Sequence, residues 1–378
     1  MKHLLLFILS ISSLHLFAQK CDCEKELHWV INTIEENDAG FQYIVDKKGK
    51  NDYNRFTESM LIKSRQTDNI KVCEKVITDW LKYFRNGHLF VSTFGKNDWE
   101  LFPYYMPSGY KPVRLIENKK AEKQNTENKS KPGIKSPYIQ PLNDKTLYFY
   151  IPSFAASYKA PIDSVLEANQ ELLKQTPNLI IDIRDSGGGS DDSYSGIIQY
   201  LYTNPIRYVG MEIKATQLNQ EGYKSYIKMF EANKNKEEVD YFQKIADQMD
   251  KYMGNFFVPE GEELITIDSS YTKLPYPQKV GIICNKNNGS ADEQFLLTAK
   301  QSSKVKLFGT TTLGTLDISN MNFTFSPSGV FWMGYCMSKS FRIPDFCIDD
   351  IGLQPDYFID RTVTDWVKFT QEILEYSN

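Results

Sequence analysis

A chain of 378 residues, 41% hydrophobic and 24% charged, has enough apolar material for one sizeable core with a smaller attached part, and so is large enough for an enzyme. Its formal net charge of −4 gives none of the basic surplus that binding nucleic acid requires.

Residues 1–18 combine basic Lys2, an apolar run from Leu4 to Phe17 and small Ala18 ahead of a polar segment. This is the pattern of a secretory signal peptide, so residues 1–18 are expected to be removed and the mature chain exported to a periplasmic or extracellular location. A membrane anchor is the alternative, but the run is shorter than the roughly 20 residues a span needs. No stable membrane insertion is expected after cleavage. A lipoprotein built on Cys21 is disfavoured because Gln19 and Lys20 stand where small residues belong. Export permits disulfides: Cys21 or Cys23 can pair with Cys73, and Cys336 with Cys347. The Cys21-x-Cys23 spacing has no companion cluster and is not read as a metal site.

Three segments between Glu24 and Phe84, around "KELHWVINTIEEN", "YNRFTESMLIKSR" and "KVCEKVITDWLKYF", carry apolar residues at helical spacing. They predict a small helical N-terminal domain over 19–90. A connecting segment over 91–140 contains the polar stretch 117–135, a solvated loop. From 141 to 378, short apolar runs alternate with helical stretches, for example "KTLYFYIPSF", "DSVLEANQELLKQ", "NLIIDIRDSGGG", "KVGIICN" and "EQFLLTAKQ". That alternation predicts an α/β core.

Two turns in this core carry chemistry. "NLIIDIRDSGGG" is a buried-type strand ending in Gly187, Gly188 and Gly189, where positive φ can aim backbone N–H groups at a ligand or an oxyanion. No Lys-Ser/Thr follows as a phosphate loop needs, and Asp185, Asp191 and Asp192 lack calcium-loop spacing. A plain tight turn remains open. In "NNGSADEQF", Ser290 and Glu293 have the spacing of a helix capping box, which leaves Ser290 as either a cap or a nucleophile. A nucleophilic serine needs a base. His3 and His15 leave with the leader, so His28 and His88 remain. His28 lies within an amphipathic helical pattern; His88 follows an Asn86-Gly87 turn and is the better base near neutral pH.

Together these segments resemble the tail-specific, or C-terminal processing, serine protease family. "YFYIPSF" is similar to its strand ending in Pro-Ser-Phe, and "IDIRDSGGG" to its D-x-R-x-N-x-G-G turn, with Ser186 for Asn. "NNGSADEQF" is similar to its G-S-A-x-E nucleophile turn, "FGTTTLGT" to the strand that follows, and "DDIGLQPD" to E-G-x-G-I-x-P-D. The resemblance implies a crotonase/ClpP-like ββα core and a serine endopeptidase acting on peptides or unfolded proteins without cofactor or metal. Where lysine-type members carry their base, this chain has Thr315, whose hydroxyl is not basic. The resemblance then turns to tricorn-like members with a histidine base from the N-terminal region. It implies Ser290 as nucleophile, His88 as base, Asp349 as orienting acid, Gly188 and Ala291 as oxyanion donors, and Glu293 in support. Gly87 stands where that pattern has serine. The family's PDZ domain does not fit in the about 55 residues between His88 and "KTLYFYIPSF". Peptide addition as a strand is therefore expected. The competing expectations are a catalytically inactive protease-fold protein that binds peptides and a crotonase-like acyl transferase.

Overall fold

The computed structural model describes residues 20–95, 103–113 and 135–376. The expected signal peptide and nearly all of the polar loop lie outside them. Four helices open the chain: α1 (Cys23–Asn37), α2 (Phe41–Lys48), α3 (Lys50–Ser64) and α4 (Ile70–Leu81). Asp22 accepts from Lys25 N and Asn69 from Val72 N, side-chain caps that fix where α1 and α4 begin. Helix α2 goes beyond the three segments read from periodicity. Its eight residues are too few to show a repeat, and Gly49 at φ 96° ends it.

The rest of the chain follows as β1 (Phe90–Thr93), β2 (Tyr138–Pro141), β3 (Thr146–Tyr150), α5 (Lys159–Ala168), α6 (Gln170–Leu173), β4 (Asn178–Asp182) and α7 (Ser195–Leu201). Next come β5 (Ile206–Val209), β6 (Met211–Lys214), α8 (Gln217–Ala232), α9 (Lys236–Met249), β7 (Phe256–Phe257), β8 (Ile265–Asp268) and β9 (Lys279–Cys284). The last elements are α10 (Ala291–Ala299), β10 (Val305–Gly309), β11 (Ile318–Phe325), β12 (Phe331–Ser340), β13 (Tyr357–Phe358) and α11 (Trp366–Tyr376).

A six-stranded sheet runs in the order β13-β10-β9-β4-β3-β2, parallel except for edge strand β2. Its central strands are covered on both faces, which explains their unbroken apolar runs. Leu147, Phe149, Leu179 and Ile181 face one way and share a core with residues of α5, α7 and α10; Tyr148, Ile180 and Phe308 share another with Leu374 of α11. In a second sheet, β12 pairs with β11 along one side and with β1 and β6 along the other. The N-terminal helices do not enclose a core of their own. Leu27, Trp80 and Phe84 belong to one cluster with Tyr223 of α8 and with Phe331 and Tyr335 of β12.

One of the expected cysteine pairings forms. Cys23 and Cys73 are bridged across a sequence separation of 50, tying the start of α1 to α4, whereas Cys336 and Cys347 are both free thiols. The Cys336 thiol lies inside the fold against the Ile318 carbonyl (3.2 Å), which takes it away from Cys347. In the chain-entropy account, closing a loop of this length stabilises by about 4 kcal/mol. Replacing Cys23 and Cys73 with serine should therefore lower the free energy of denaturant unfolding by about 2–4 kcal/mol. Equal stability of the wild type and the double variant under oxidising conditions would count against the bridge.

Candidate active site

The serine turn closes on its own asparagines: Asn288 accepts from Asn285 N (2.7 Å) and Asn285 from Asn287 N (2.8 Å). The chain then reaches Ser290 at φ 59°, ψ −125°, a conformation that costs a non-glycine residue about 1–3 kcal/mol. Although Ser290 precedes the first residue of α10, its hydroxyl makes no capping bond and no other hydrogen bond among the described residues. The capping-box reading is thereby overturned. Glu293 turns away from the serine and accepts from Thr312 Oγ1, Gly314 N (2.7 Å) and Thr315 N (2.8 Å).

The glycine turn lies against this serine. A Cβ on Gly188 (φ 98°) would sit 2.9 Å from Ser290 Cβ and 3.4 Å from Ala291 N, so only glycine permits the approach. Behind it is a buried polar knot. Ser186 donates to Asp292 (2.6 Å), and Asn288 donates to Asp292 (2.9 Å) and to the Ile183 carbonyl (2.7 Å). Burial pushes the Asp292 carboxyl up to about 7. The two expected oxyanion donors differ. Ala291 N–H, at the start of α10, has no acceptor among the described residues. Gly188 N–H instead points inward at Ser186 Oγ (3.4 Å), because the short serine that replaces asparagine leaves its oxygen under the turn.

His88 lies on the segment between α4 and β1. Its φ is 54°, and its Nδ1 lies 3.0 Å from the Ile318 carbonyl. Since a carbonyl only accepts, that contact puts the proton on Nδ1 and leaves Nε2 basic. Burial, with the Arg85 guanidinium nearby, pushes the imidazole down to about 4. Arg85 forms a buried two-point ion pair with Asp38 (2.9 and 2.6 Å) and donates to the His88 carbonyl (3.2 Å). His28 is on the exposed face of α1, 3.9 Å from Glu24 and remote from this chemistry.

Thr315 meets both the serine turn and the residue before His88. Its carbonyl accepts from Ser290 N (2.9 Å), and a Cβ on Gly87 would fall 2.0 Å from its Oγ1. Ser290 and Gly87, the residue before His88, thus both touch Thr315, and no hydrogen bond joins Ser290 to His88. The direct bond expected between Asp349 and the imidazole is also replaced. Asp349 accepts from Leu316 N (2.6 Å), Asp317 N (2.8 Å) and Ile318 N (3.1 Å), and the carbonyl of Ile318 takes up Nδ1. Burial and the neighbouring Asp317 push Asp349 up to about 6. Sequence reasoning missed Arg85, Asn288 and Asp292. The one available signal was that Asn288 and Asp292 fall within the serine motif itself.

The model of peptidase family S41 matches residues 145–359. The chain belongs to that family. Its members are serine peptidases, and the motifs that carried the resemblance lie within the matched residues or at their edge. No curated protein matches the chain. Among solved structures, mature CPAF complexed with lactacystin is similar over 94% of this chain and 97% of its own, at 13% identity and TM-score 0.62. A candidate peptidase from Parabacteroides merdae is similar over 95% and 98%, at 14% identity and TM-score 0.53. A lipoprotein from Streptococcus agalactiae is similar over 96% and 99%, at 13% identity and TM-score 0.50. At these identities the likeness concerns the fold. Among the described residues no helix is long and apolar enough to cross a membrane, and no group of three or more His, Cys, Asp or Glu could hold a metal ion.

The strained, uncapped serine gives a direct test. Ser290→Ala should leave the melting temperature nearly unchanged, and Ser290→Gly should raise stability by about 1 kcal/mol because glycine tolerates this backbone. A capping serine would instead lose about 0.5–2 kcal/mol on conversion to alanine, measured by thermal or denaturant unfolding.

Proposed function

We propose that this S41 peptidase is an exported serine endopeptidase in which Ser290 attacks a peptide carbonyl and His88 Nε2 takes its proton and returns it to the leaving amine. The observation that carries this reading is the tautomer: Ile318 O holds Nδ1, so the nitrogen left free is the basic one. Ala291 N–H is the oxyanion donor already available, and the positive end of α10 adds to it. Asp349 acts as a positioning residue, holding the backbone of 316–318 that presents the carbonyl to the imidazole. The parallel sheet, with α10 following β9, supports a crotonase/ClpP-like ββα core. Export is supported by the residue 1–18 pattern and by the Cys23–Cys73 bridge, which suits an oxidising compartment. The substrate is an extended stretch of polypeptide.

A second reading, a peptide-binding protein without turnover, draws on the inward Gly188 N–H and on the missing bond between Ser290 and His88. A fluorophosphonate probe separates the two: labelling that disappears in Ser290→Ala supports the enzyme, and no labelling supports the binder.

The pH dependence tests the assigned roles. His88, pushed down to about 4, is neutral and competent above that pH, and Asp349, pushed up to about 6, is a carboxylate only above it. The wild-type kcat/KM should therefore fall as pH drops through about 6 and vanish near 4. Asp349→Asn should lower the plateau and lose the limb near 6, keeping the one near 4. A profile that rises only above neutral pH would point to a lysine base and overturn His88.

A further inference from the structure

Helix α10 is almost wholly enclosed. Between Ser290 and Ala299 only Ser290, Gln294 and Leu297 reach solvent. Spaced i, i+4 and i+7, they share one face of the helix, with Gln294 about 6 Å and Leu297 about 10 Å from the serine along the axis. Its Gln294 and Leu297, one and two turns beyond the serine, line the floor of a groove of about 750 Å³. Val209, Leu264 and Ile265 form one wall, from the paired strands β5 and β8 and the residue before β8; Phe341 and Phe346 form the other.

The polar groups of the floor are already committed. Gln301 exchanges two hydrogen bonds with the Arg207 backbone (2.8 and 2.9 Å). Buried Arg342 is held by Asp317 (2.6 Å) and donates to Gln294 (3.3 Å). Exposed Arg207 and Asp345 also line the groove, but its large open side chains are apolar: Leu264 is 58% exposed and Phe346 71%. Large side chains left open around a concavity mark a binding surface more than a packing defect.

We propose that this groove is the specificity pocket of the peptidase, taking a large apolar side chain, such as Phe, Leu or Met, from the polypeptide being cut. This assignment rests on the peptidase reading above. Its occupant follows from continuity with the nucleophile, because the groove floor and Ser290 are successive turns of one helix face. An extended chain advances about 3.3 Å per residue, so the side chain that fills the groove belongs within about three residues of the scissile bond.

The test is to digest an unfolded protein mixture with the full chain and map the cut sites by mass spectrometry. The double variant Leu264→Asp/Phe346→Asp is run in parallel, and its folding is checked by its melting temperature. Enrichment of large apolar residues at one fixed position within about three of the cut, lost in the variant, is the expected result. Peptides carrying that residue should lose about tenfold or more in kcat/KM on the variant. No enrichment at any such position, or enrichment that the variant retains, overturns the assignment. So does a concentration-dependent dimer that the same variant dissociates, since the groove would then hold a second copy of the chain. Fluorophosphonate labelling of the wild type keeps the two failures apart: no labelling removes the peptidase reading, whereas labelling without positional preference removes only the pocket.

Discussion

Five consecutive backbone amides, from Gly314 to Ile318, donate to just two buried carboxylates, Glu293 taking the first two and Asp349 the last three. Everything else in the site is measured from this strap. Its Thr315 carbonyl receives Ser290 N and its Ile318 carbonyl receives His88 Nδ1. Asp317, within it, accepts in return from Ile348 N (2.5 Å) and Asp349 N (2.9 Å) and pairs with Arg342. A hydrogen bond to a charged group contributes about 1.5–3 kcal/mol, but desolvating a carboxylate costs several kcal/mol. Burial and the neighbouring Asp317 keep Asp349 pushed up to about 6 despite its three donors.

The departures from the family pattern make sense in pairs. Threonine replaces lysine at 315, and its side chain occupies the space that any side chain at 87 would need, so Gly87 is the complement of Thr315. Serine replaces asparagine at 186 and bonds Asp292 within the serine motif (2.6 Å). Seen singly along the chain, each change resembles decay of a catalytic pattern. In space each is matched by a neighbour, and the substitutions leave a packed, hydrogen-bonded interior.

The two turns were legible in the sequence because their geometry restricts residue type: glycine where a Cβ would strike Ser290, and asparagine closing its own turn ahead of the serine. The parallel strands were legible because burial on both faces demands unbroken apolar runs. The second sheet was not. Strands β11 and β12 mix buried and half-buried positions without clean alternation, and β12 is buried along nearly its whole length, so neither shows a period of two. The partner of His88 was hidden for a different reason. A backbone carbonyl at Ile318 carries no residue-type signal, and Asp349, which sequence reasoning did single out, acts one step removed through the amides that hold it.

His88 and Ser290 belong to different cores, and the strap is what spans them. His88 follows α4 in the core shared by the N-terminal helices and β12, whereas Ser290 begins α10 against the parallel sheet. Arg85 anchors the first side: its ion pair with Asp38 fixes the end of α1, and Asp38 also accepts from Cys336 N on β12 (3.2 Å). Burial, and after it this guanidinium, disfavour a charged imidazole at His88. Asp349 in turn lies close enough to interact with Arg85. One carboxylate thus acts on both sides, through the backbone amides of 316–318 and through its charge on Arg85. An acid at 349 therefore has a use in holding the strap even though no hydrogen bond joins it to the histidine.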